Sequence, residues 1–381
     1  MSVRPLTEYC TLNMGQSPDS KTYNTQGNGL PFYQGNADFG EMHPITRVWC
    51  SAPVKVAEEG DILISVRAPI GAMNMAVERC CIGRGLAALT PIRNKCSKQF
   101  LYYALQSKVD SLIAQGTGST FKAISKKVLE ATCIPAYSTI EQEQIAETIG
   151  HVDNTIAAKR KQLALLDQLV KSRFIELFGD PKQNPKGYPV KEFDEISVLI
   201  TDGEHATPRR TDKGIYLLSA RNILNHALQL DDVDYIDEEE YTRIARRVVP
   251  QAGDVLISCS GSIGRCCVVP EELRFQMVRS AALIRFDDTI KPVFAEWLIT
   301  SDELQRQISM SATQSSQANL FQGKIRKLRG YVPPMELQNQ FAAFVEQTDK
   351  SKYYSSLSFR YCQAAANTYR QEWMTCRTSD F

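Results

Sequence analysis

The chain has 381 residues, 43% of them hydrophobic, and its 44 basic and 43 acidic residues give a formal net charge of +1. This length suits two or three domains, and the composition is ordinary for a soluble globular protein. A charge balance near zero excludes a uniformly basic protein, so any surface that binds nucleic acid must be a local one.

Neither a membrane segment nor a targeting segment is predicted. The longest apolar runs are too short to cross a bilayer, and the first ten residues lack the apolar region of a signal peptide. The eleven cysteines are scattered without any Cys-x-x-Cys spacing, which is typical of reduced thiols. We therefore expect a cytoplasmic protein that does not bind a membrane.

Residues 1–137 are predicted to form a first mixed α/β domain. The run Gly60–Gly71 contains a Gly-Asp turn, an apolar strand and a second turn, and Gly83–Leu89 begins another strand. Apolar residues then follow helical spacing over Lys98–Ala114, and a short strand ends at Ile134-Pro135. The mixture of short strands and helices indicates the α+β class.

Residues 138–180 are predicted to form a long helix. Ser138 and Glu141 have the spacing of a capping box, and Gly179-Asp180-Pro181 ends the helix. Apolar residues between these ends keep heptad spacing, at Ile145, Ile149, Val152, Ile156, Leu163, Leu166, Val170 and Leu177. A rod of roughly 60 Å cannot bury this stripe alone. Residues 336–381 contain a second helix of similar length, and we expect the two to pair antiparallel; two separate surface helices are the alternative.

Residues 181–335 repeat the first domain after a Pro- and Lys-rich linker. Gly253–Gly264 matches Gly60–Gly71, and the later motifs match in the same order, with Ala281–Leu283 after Ala87–Leu89 and Val332-Pro333 after Ile134-Pro135. Matches in one order indicate a duplicated unit of domain and long helix. We therefore predict two similar mixed α/β domains, separated by an antiparallel two-helix coiled coil and related by a pseudo-twofold internal repeat.

No catalytic, cofactor or metal site is predicted. The glycine-rich runs Gly116–Gly118 and Gly261–Gly264 lack the lysine and spacing of a phosphate-binding loop, and no G-x-S-x-G occurs. The four histidines lie far apart, without ligand spacing to a cysteine. The acidic run Asp237–Glu240 precedes a predicted helix and is expected to cap it or to face solvent.

Polar loops recur at corresponding places of the two domains and are the candidate DNA-binding surface. Arg, Asn and Gln read base edges, and hydroxyl groups hold phosphates, although any single polar loop residue is explained equally well by exposure to water. We predict that Arg67 and Arg265 follow the same strand in each copy. The candidate residues are Gln16, Ser17, Lys21, Tyr33, Gln34, Asn36, Arg67, Arg84, Thr117, Ser119, Lys122, His205, Thr207, Arg209, Ser219, Arg221, Asn222, Ser260, Ser262, Arg265, Arg279, Gln314, Ser316 and Gln317.

Taken together, these motifs resemble those of the specificity subunits of type I restriction-modification enzymes. The likeness is carried by GDILISVRAPIG (60–71), GRGLAAL (83–89), QGTGSTFKAISKK (115–127), EQEQIAETIGHVD (141–153), RFIELFGDP (173–181), TDGEHATP (201–208), GDVLISCSGSIG (253–264) and PPMELQNQFAAFVEQTDKSK (333–352). Residues 353–381 depart from the family's Leu-, Lys- and Glu-rich last helix, since they are rich in Tyr, Ser and Cys.

The resemblance implies a prokaryotic, non-catalytic subunit that binds double-stranded DNA. Each target-recognition domain would read half of a bipartite site, and the helices would set the spacing. Two modification subunits, which methylate adenine with S-adenosylmethionine, would dock on the helices. Restriction subunits, which use ATP and Mg, would complete the complex. This chain itself would bind no cofactor and no metal.

Two other classes of function stay open at this stage. A structural adaptor, whose domains bind protein or carbohydrate, would have no salt-dependent affinity for DNA. A self-sufficient nuclease or methyltransferase would be active as a purified chain without partners.

Overall fold

The structure, a computed structural model, describes residues 2–118, 122–312 and 319–374. Contacts divide the chain into two compact units, which we call unit 1 (Met1–Lys161 with Ser356–Phe381) and unit 2 (Gln162–Ser355). This grouping assigns part of each long helix to each unit.

Short strands make up most of the mixed part of unit 1, and its α-helices come near the end. In chain order the elements are β1 (Val3–Pro5), β2 (Cys10–Met14), β3 (Tyr23–Asn24), β4 (Leu30–Tyr33), β5 (Trp49–Cys50), β6 (Val56–Ala57), β7 (Ile62–Ser65), β8 (Met73–Met75), β9 (Cys80–Ile82), β10 (Leu86–Pro91), α1 (Lys98–Gln106), α2 (Val109–Ala114), α3 (Lys126–Ala131) and β11 (Cys133–Pro135).

Two sheets of unit 1 share a core through strand β7. The first sheet is antiparallel with the order β2-β10-β7-β8, and the second has the order β3-β5-β4-β9-β6. Ile62 and Ile64 pack in the cluster that contains Phe100 of α1, whereas Leu63 packs in the cluster that contains Tyr33 of β4. Because successive strand residues point to opposite faces, a strand buried on both faces reads as a continuous apolar run.

The helical spacing predicted over Lys98–Ala114 belongs to two helices, not one. Helix α1 ends at Gln106, and α2 begins at Val109. Between them the hydroxyl group of Ser107 donates to the carbonyl of Ala104 at 2.7 Å. A serine that bonds backbone in this way competes with the next helical turn, which explains the break.

The predicted long helix is confirmed as α4 (Thr139–Phe178). Glu141 accepts the backbone N–H of Ser138 at 2.8 Å, and the Ser138 hydroxyl accepts the N–H of Glu141 at 3.3 Å. This reciprocal pair is the capping box expected from the sequence. The hydrogen bonds from Ser138 stabilise the carboxylate and hold the pKa of Glu141 below its ordinary value.

Unit 2 continues with a second series of short strands and helices. These are β12 (Val190–Glu192), β13 (Ser197–Asp202), β14 (Ile215–Leu218), β15 (Ile223–Leu224), β16 (Ala227–Leu228), β17 (Asp234–Ile236), α5 (Glu238–Ala245), β18 (Val255–Ser258), β19 (Cys266–Val268), β20 (Phe275–Met277), β21 (Ala281–Phe286), α6 (Pro292–Ile299), α7 (Asp302–Ala312), α8 (Gln322–Arg326), β22 (Arg329–Tyr331) and, last, the long helix α9 (Met335–Met374). As expected, Asp237 caps α5, accepting the N–H of Glu240 at 2.8 Å.

The main sheet of unit 2 has the order β13-β21-β18-β19, which matches β2-β10-β7-β8 strand for strand. In the hydrogen-bonded ladders Ala281 lies opposite Ser258, and Leu86 lies opposite Ser65. The sequence match that set Ala281 against Ala87 is therefore out of register by one residue. A short apolar motif does not fix the register, because Leu86, Ala87, Ala281 and Ala282 are all buried apolar residues.

The long helices run antiparallel within each unit. In unit 1, Asp153 of α4 pairs with Arg370 of α9, and the guanidinium of Arg160 lies 5.8 Å from the ring centroid of Phe359. In unit 2, the carboxylate of Asp167 lies 2.8 Å from the ammonium of Lys352, and Arg173 lies over the ring of Phe344. In both units a rise in residue number along α4 is matched by a fall along α9.

Apolar contacts continue this helix pairing. Val170 and Phe174 of α4 belong to the main core of unit 2 together with Phe341 of α9, and the rings of Phe174 and Phe341 are 5.4 Å apart. Ile145 and Ile149 belong to the core of unit 1. Ile145, Ile149 and Val170 are seam positions predicted from the heptad spacing, whereas Phe174 lies outside the predicted stripe.

A buried glutamine near the start of each long helix joins the helix to the mixed part of its unit. Gln142 donates to the carbonyl groups of Lys95 and Tyr137 and accepts the N–H of Ser97 at 2.9 Å. Gln338 likewise donates to the carbonyl groups of Thr289 and Pro333 and accepts the N–H of Lys291. A buried amide with all these bonds fixes the loop before α1 or α6 on the long helix.

We predict that Gln142→Leu and Gln338→Leu each lower the free energy of unfolding of their own unit by about 1–3 kcal/mol, because buried backbone groups lose their partners. Urea unfolding of the full chain measures the loss, and hydrogen exchange assigns it to a unit. Gln144→Leu is the matched control, since Gln144 lies on the same helix with an exposed side chain. A loss at Gln142 no larger than that at Gln144 would contradict this account of the anchor.

Candidate nucleic-acid interface

The polar loops of unit 1 meet at one end of its sheets. The N–H of Arg84 donates to the hydroxyl of Ser17 at 3.2 Å, and the N–H of Gly85 donates to the carbonyl of Gln34. The carbonyl of Gly85 accepts the N–H of Val66. Arg67, the residue after Val66, forms an isolated β-bridge with Ala123. Five segments that are distant in sequence are therefore tied together by hydrogen bonds of main-chain groups and of the Ser17 hydroxyl.

The polar loops of unit 2 meet in the same way. The N–H of Arg279 donates to the carbonyl of Glu204 at 3.0 Å, and the N–H of Ala220 donates to the hydroxyl of Ser280 at 3.1 Å. The carbonyl of Ser280 accepts the N–H of Cys259, and Ser260 bridges to Asn319. Each unit thus presents one cluster of polar loops at the end of its main sheet.

A glycine permits the close approach of two of these loops in each unit. A Cβ on Gly15 would lie 2.2 Å from the carbonyl oxygen of Gly83, and a Cβ on Gly203 would lie 2.4 Å from that of Met277. No side chain fits such a gap, so glycine is required where β2 and β13 end. This close approach explains why the loops at residues 15–17 and 203–205 both begin with glycine.

Arg84 and Arg279 occupy equivalent positions in the two clusters. Arg84 directly precedes Gly85, whose carbonyl accepts the N–H of Val66 just after β7. Arg279 directly precedes Ser280, whose carbonyl accepts the N–H of Cys259 just after β18. Both side chains are exposed, and neither has an ion-pair partner within the described ranges. An exposed unpaired guanidinium can neutralise a phosphate.

The prediction that Arg67 and Arg265 follow the same strand is wrong. Arg67 comes two residues after β7 and bridges to Ala123, and the residue that forms the corresponding bridge in unit 2 is Ser260. Arg265 directly precedes β19, at the far side of the turn after β18. The turn separates the two positions, so a cation close to a strand in sequence is not at the equivalent place in space.

Two candidate residues are buried and serve the fold. Tyr33 is 1% exposed, and its hydroxyl group bonds that of Thr46 at 2.7 Å. Asn222 is 1% exposed, and its amide donates to the carbonyl groups of Gln229 and Asp232. Their side chains have no surface for DNA, so the sequence prediction is corrected at these two positions. A polar residue in a loop can equally be the residue that holds the loop.

The remaining candidates fall into two groups. Ser119, Gln314, Ser316 and Gln317 lie outside the described residues. The others are exposed or half-buried, namely Gln16, Ser17, Lys21, Gln34, Asn36, Arg67, Arg84, Thr117, Lys122, His205, Thr207, Arg209, Ser219, Arg221, Ser260, Ser262, Arg265 and Arg279.

Several basic residues of unit 2 are already paired with carboxylates. Arg209 lies 2.8 Å from Glu239, which raises the pKa of its guanidinium, and His205 lies 2.7 Å from Asp202. Arg326, next to the predicted terminal strand, pairs with Asp194 and donates to a backbone carbonyl. These partners reduce the charge available to a phosphate at each position.

Arg210 lies in the polar loop at residues 205–210 but is not among the candidate residues, and sequence reasoning missed Asp234, which lies beside it at the same cluster. Nε of Arg210 donates to the carboxylate of Asp234 at 3.1 Å, and Arg221 lies 3.1 Å from its other oxygen. The sequence contains a signal for this pair, because it has a basic run at Arg209-Arg210 and an acidic run over residues 231–240 that can form ion pairs in the fold.

Within the residues the structure describes, no group of three or more His, Cys, Asp or Glu side chains is arranged to hold a metal ion. None of the helices in those ranges is both long and apolar enough to span a bilayer. Burial raises the pKa of the Cys10, Cys80, Cys96 and Cys259 thiols to about 12, so these cysteines stay protonated at neutral pH.

Comparison with known proteins gives a family match over part of the chain. The model of the type I restriction modification DNA specificity domain matches residues 1–168. The putative type I restriction enzyme MjaX specificity subunit of Methanocaldococcus jannaschii is 41% identical over 164 residues, which are 43% of this chain and 39% of that protein. The EcoBI specificity subunit of Escherichia coli is 22% identical over 315 residues, which are 75% of this chain and 66% of that protein.

A solved structure extends the likeness in fold to nearly the whole chain. The type I restriction-modification system S subunit from M. genitalium has a TM-score of 0.66 and 15% identity, covering 99% of this chain and 96% of that one. At this identity the likeness concerns the fold alone, whereas the sequence matches concern the family. The family match therefore concerns residues 1–168, and the chain spans about two fifths of the length of the MjaX relative.

Proposed function

We propose that the chain is the non-catalytic subunit that gives a type I restriction-modification complex its DNA specificity. Unit 1 reads one half of a bipartite double-stranded target, and unit 2 reads the other half. The one observation that carries this proposal is the matched pair of loop clusters, each at the end of the same four-strand arrangement and each with an exposed arginine, Arg84 or Arg279.

The antiparallel helices α4 and α9 act in this proposal as a coiled-coil spacer between two copies of one recognition unit. Support comes from the helix contacts inside each unit, where Asp153 pairs with Arg370 and Asp167 with Lys352. A helix of 40 residues is roughly 60 Å long, which is close to two turns of B-DNA at roughly 34 Å each. The unread gap of the target would then be set by the helices.

Catalysis belongs to the partners in this proposal. The exposed faces of α4 and α9, with the adjoining loops, dock two modification subunits that methylate adenine with S-adenosylmethionine. Restriction subunits that use ATP and Mg join them in a cytoplasmic complex. Two assembly contacts of this kind suit a chain built from two related units, because similar surfaces bind copies of one partner.

Exchange of residues 1–137 for the corresponding part of another specificity subunit tests the assignment of half-sites. We expect the methylated motif of the assembled methyltransferase to change in one half only, and exchange of residues 181–335 to change the other half only. Mapping methylated adenines in genomic DNA reads out both exchanges. A motif that changes throughout after either exchange would refute the division of labour between the units.

Arg84→Ala and Arg279→Ala test the phosphate contacts. Loss of one phosphate contact should reduce the slope of log affinity against log salt concentration by about 0.9 for each variant. Binding of the assembled methyltransferase to its target duplex at several salt concentrations gives the slope. Arg93→Ala is the matched control, because Arg93 is exposed at the opposite end of β10 from Arg84. Slopes that equal that of the Arg93→Ala variant would show that these arginines do not contact phosphate.

A further inference from the structure

Unit 2 contains a pair of arginines fixed by one carboxylate, which we call the arginine pair (Arg210 and Arg221, held by Asp234). One oxygen of Asp234 accepts Nε of Arg210 at 3.1 Å, and the other lies 3.1 Å from Nη2 of Arg221. The arginine side chains are each 48% exposed, whereas Asp234 is 31% exposed. The anion is thus more buried than the cations, so the guanidinium groups face outward from a fixed support.

The support is rigid because Asp234 belongs to a paired strand. It begins β17, where it lies opposite Leu217 of β14 in an antiparallel ladder. The neighbouring segment is also held, since the buried amide of Asn222 bonds the carbonyl of Asp232 at 2.9 Å. Guanidinium groups that are already ordered lose less conformational entropy when a ligand binds.

The arginine pair lies at the end of the sheet where the loop cluster of unit 2 lies. Strand β17 runs antiparallel to β14, so its first residue is beside the last residues of β14. The turn that follows β14 contains Arg221 and bonds Ser280 through the N–H of Ala220. Arg279 belongs to the same cluster, so a duplex that contacts Arg279 would come close to the arginine pair.

Charge determines which part of DNA the arginine pair suits. Asp232 lies 3.5 Å from Nη1 of Arg221, so two guanidinium groups are balanced by two carboxylates. A phosphate would gain little attraction from such a neutral group and would be repelled by the carboxylates. The N–H donors remain, and in the described part of the chain no protein acceptor takes the terminal nitrogens of Arg210. Fixed donors without net charge suit a neutral acceptor pair.

We infer that the arginine pair is a guanine-reading element of unit 2, with Arg210 and Arg221 donating to O6 and N7 of guanine in the major groove and Asp234 positioning them. Guanine presents this acceptor pair, and arginine is the side chain that most often reads it. The inference rests on the proposed function and adds to it two residues that are absent from the candidate list, Arg210 and Asp234.

The test uses the assembled methyltransferase and the duplex that contains its methylated motif. Each guanine of the half-site read by unit 2 is replaced in turn by 7-deazaguanine, which lacks the N7 acceptor. For the wild type we expect at least one replacement to weaken binding roughly 5- to 150-fold. The same replacement should cost nothing further in Arg210→Ala or Arg221→Ala, because the donor has already been removed.

Salt dependence separates a base contact from a phosphate contact. Arg210→Ala should weaken binding without changing the salt slope, whereas a slope reduced by about 0.9 would identify a phosphate contact and overturn the inference. Asp234→Asn should lower discrimination between guanine and 7-deazaguanine and make the slope steeper, since it frees the charge of both arginines. A purely structural role of Asp234 would leave the slope unchanged.

Arg274→Ala is the matched control for these variants. Arg274 is also ion-paired, with Glu238 at 2.6 Å, and its side chain is 52% exposed. It precedes β20, which runs parallel to β14, so it lies at the opposite end of the same sheet. We expect no change in affinity, slope or discrimination for this variant.

Two failures are distinguishable. If the wild-type complex binds no bipartite sequence, the proposed function fails, and the arginine pair loses its premise. If specific binding is intact but no guanine couples to Arg210 or Arg221, the guanine-reading inference alone is overturned.

Discussion

Backbone hydrogen bonds between loops are the constraint on which the rest of this structure depends. In each unit the turn before the central strand of the main sheet, β10 or β21, accepts an N–H from the segment after the neighbouring strand, from Val66 to Gly85 in unit 1 and from Cys259 to Ser280 in unit 2. These bonds use main-chain groups, so they hold the loops in place whatever side chains the loops carry. A surface built in this way can change its polar side chains while its framework is kept, which is what a protein that reads DNA sequences requires.

The two loop clusters share a framework and differ in electrostatics. Arg84 and Arg279 are exposed arginines at equivalent positions, without ion pairs among the described residues. Unit 2 adds a set of arginines that are paired with carboxylates, such as Arg209 with Glu239 and Arg210 with Asp234. Contacts to phosphate position a protein on DNA, whereas contacts to base edges give sequence specificity. Affinity and specificity would thus be carried by different arginines of one cluster.

Much of the fold follows from local sequence patterns. Heptad spacing and the Ser138–Glu141 capping box predict both ends of α4 to within two residues, because period and cap are properties of neighbouring residues. The site is less predictable, because burial and ion pairing are long-range. Asn222 looks like a base-reading side chain in the sequence, yet it bonds two carbonyl groups inside its loop. Arg265 follows a repeated motif, yet the intervening turn moves it to the next strand.

Footprinting of the assembled methyltransferase on its target duplex tests the central claim most directly. Hydroxyl-radical cleavage should show two separate protected windows, one for each unit, with a gap of less protected base pairs between them. Replacing one half-site by unrelated sequence should abolish the protection of that half-site before it affects the protection of the other. One continuous protected window, or protection that ignores the loss of a half-site, would contradict the account of two recognition units held apart by a helical spacer.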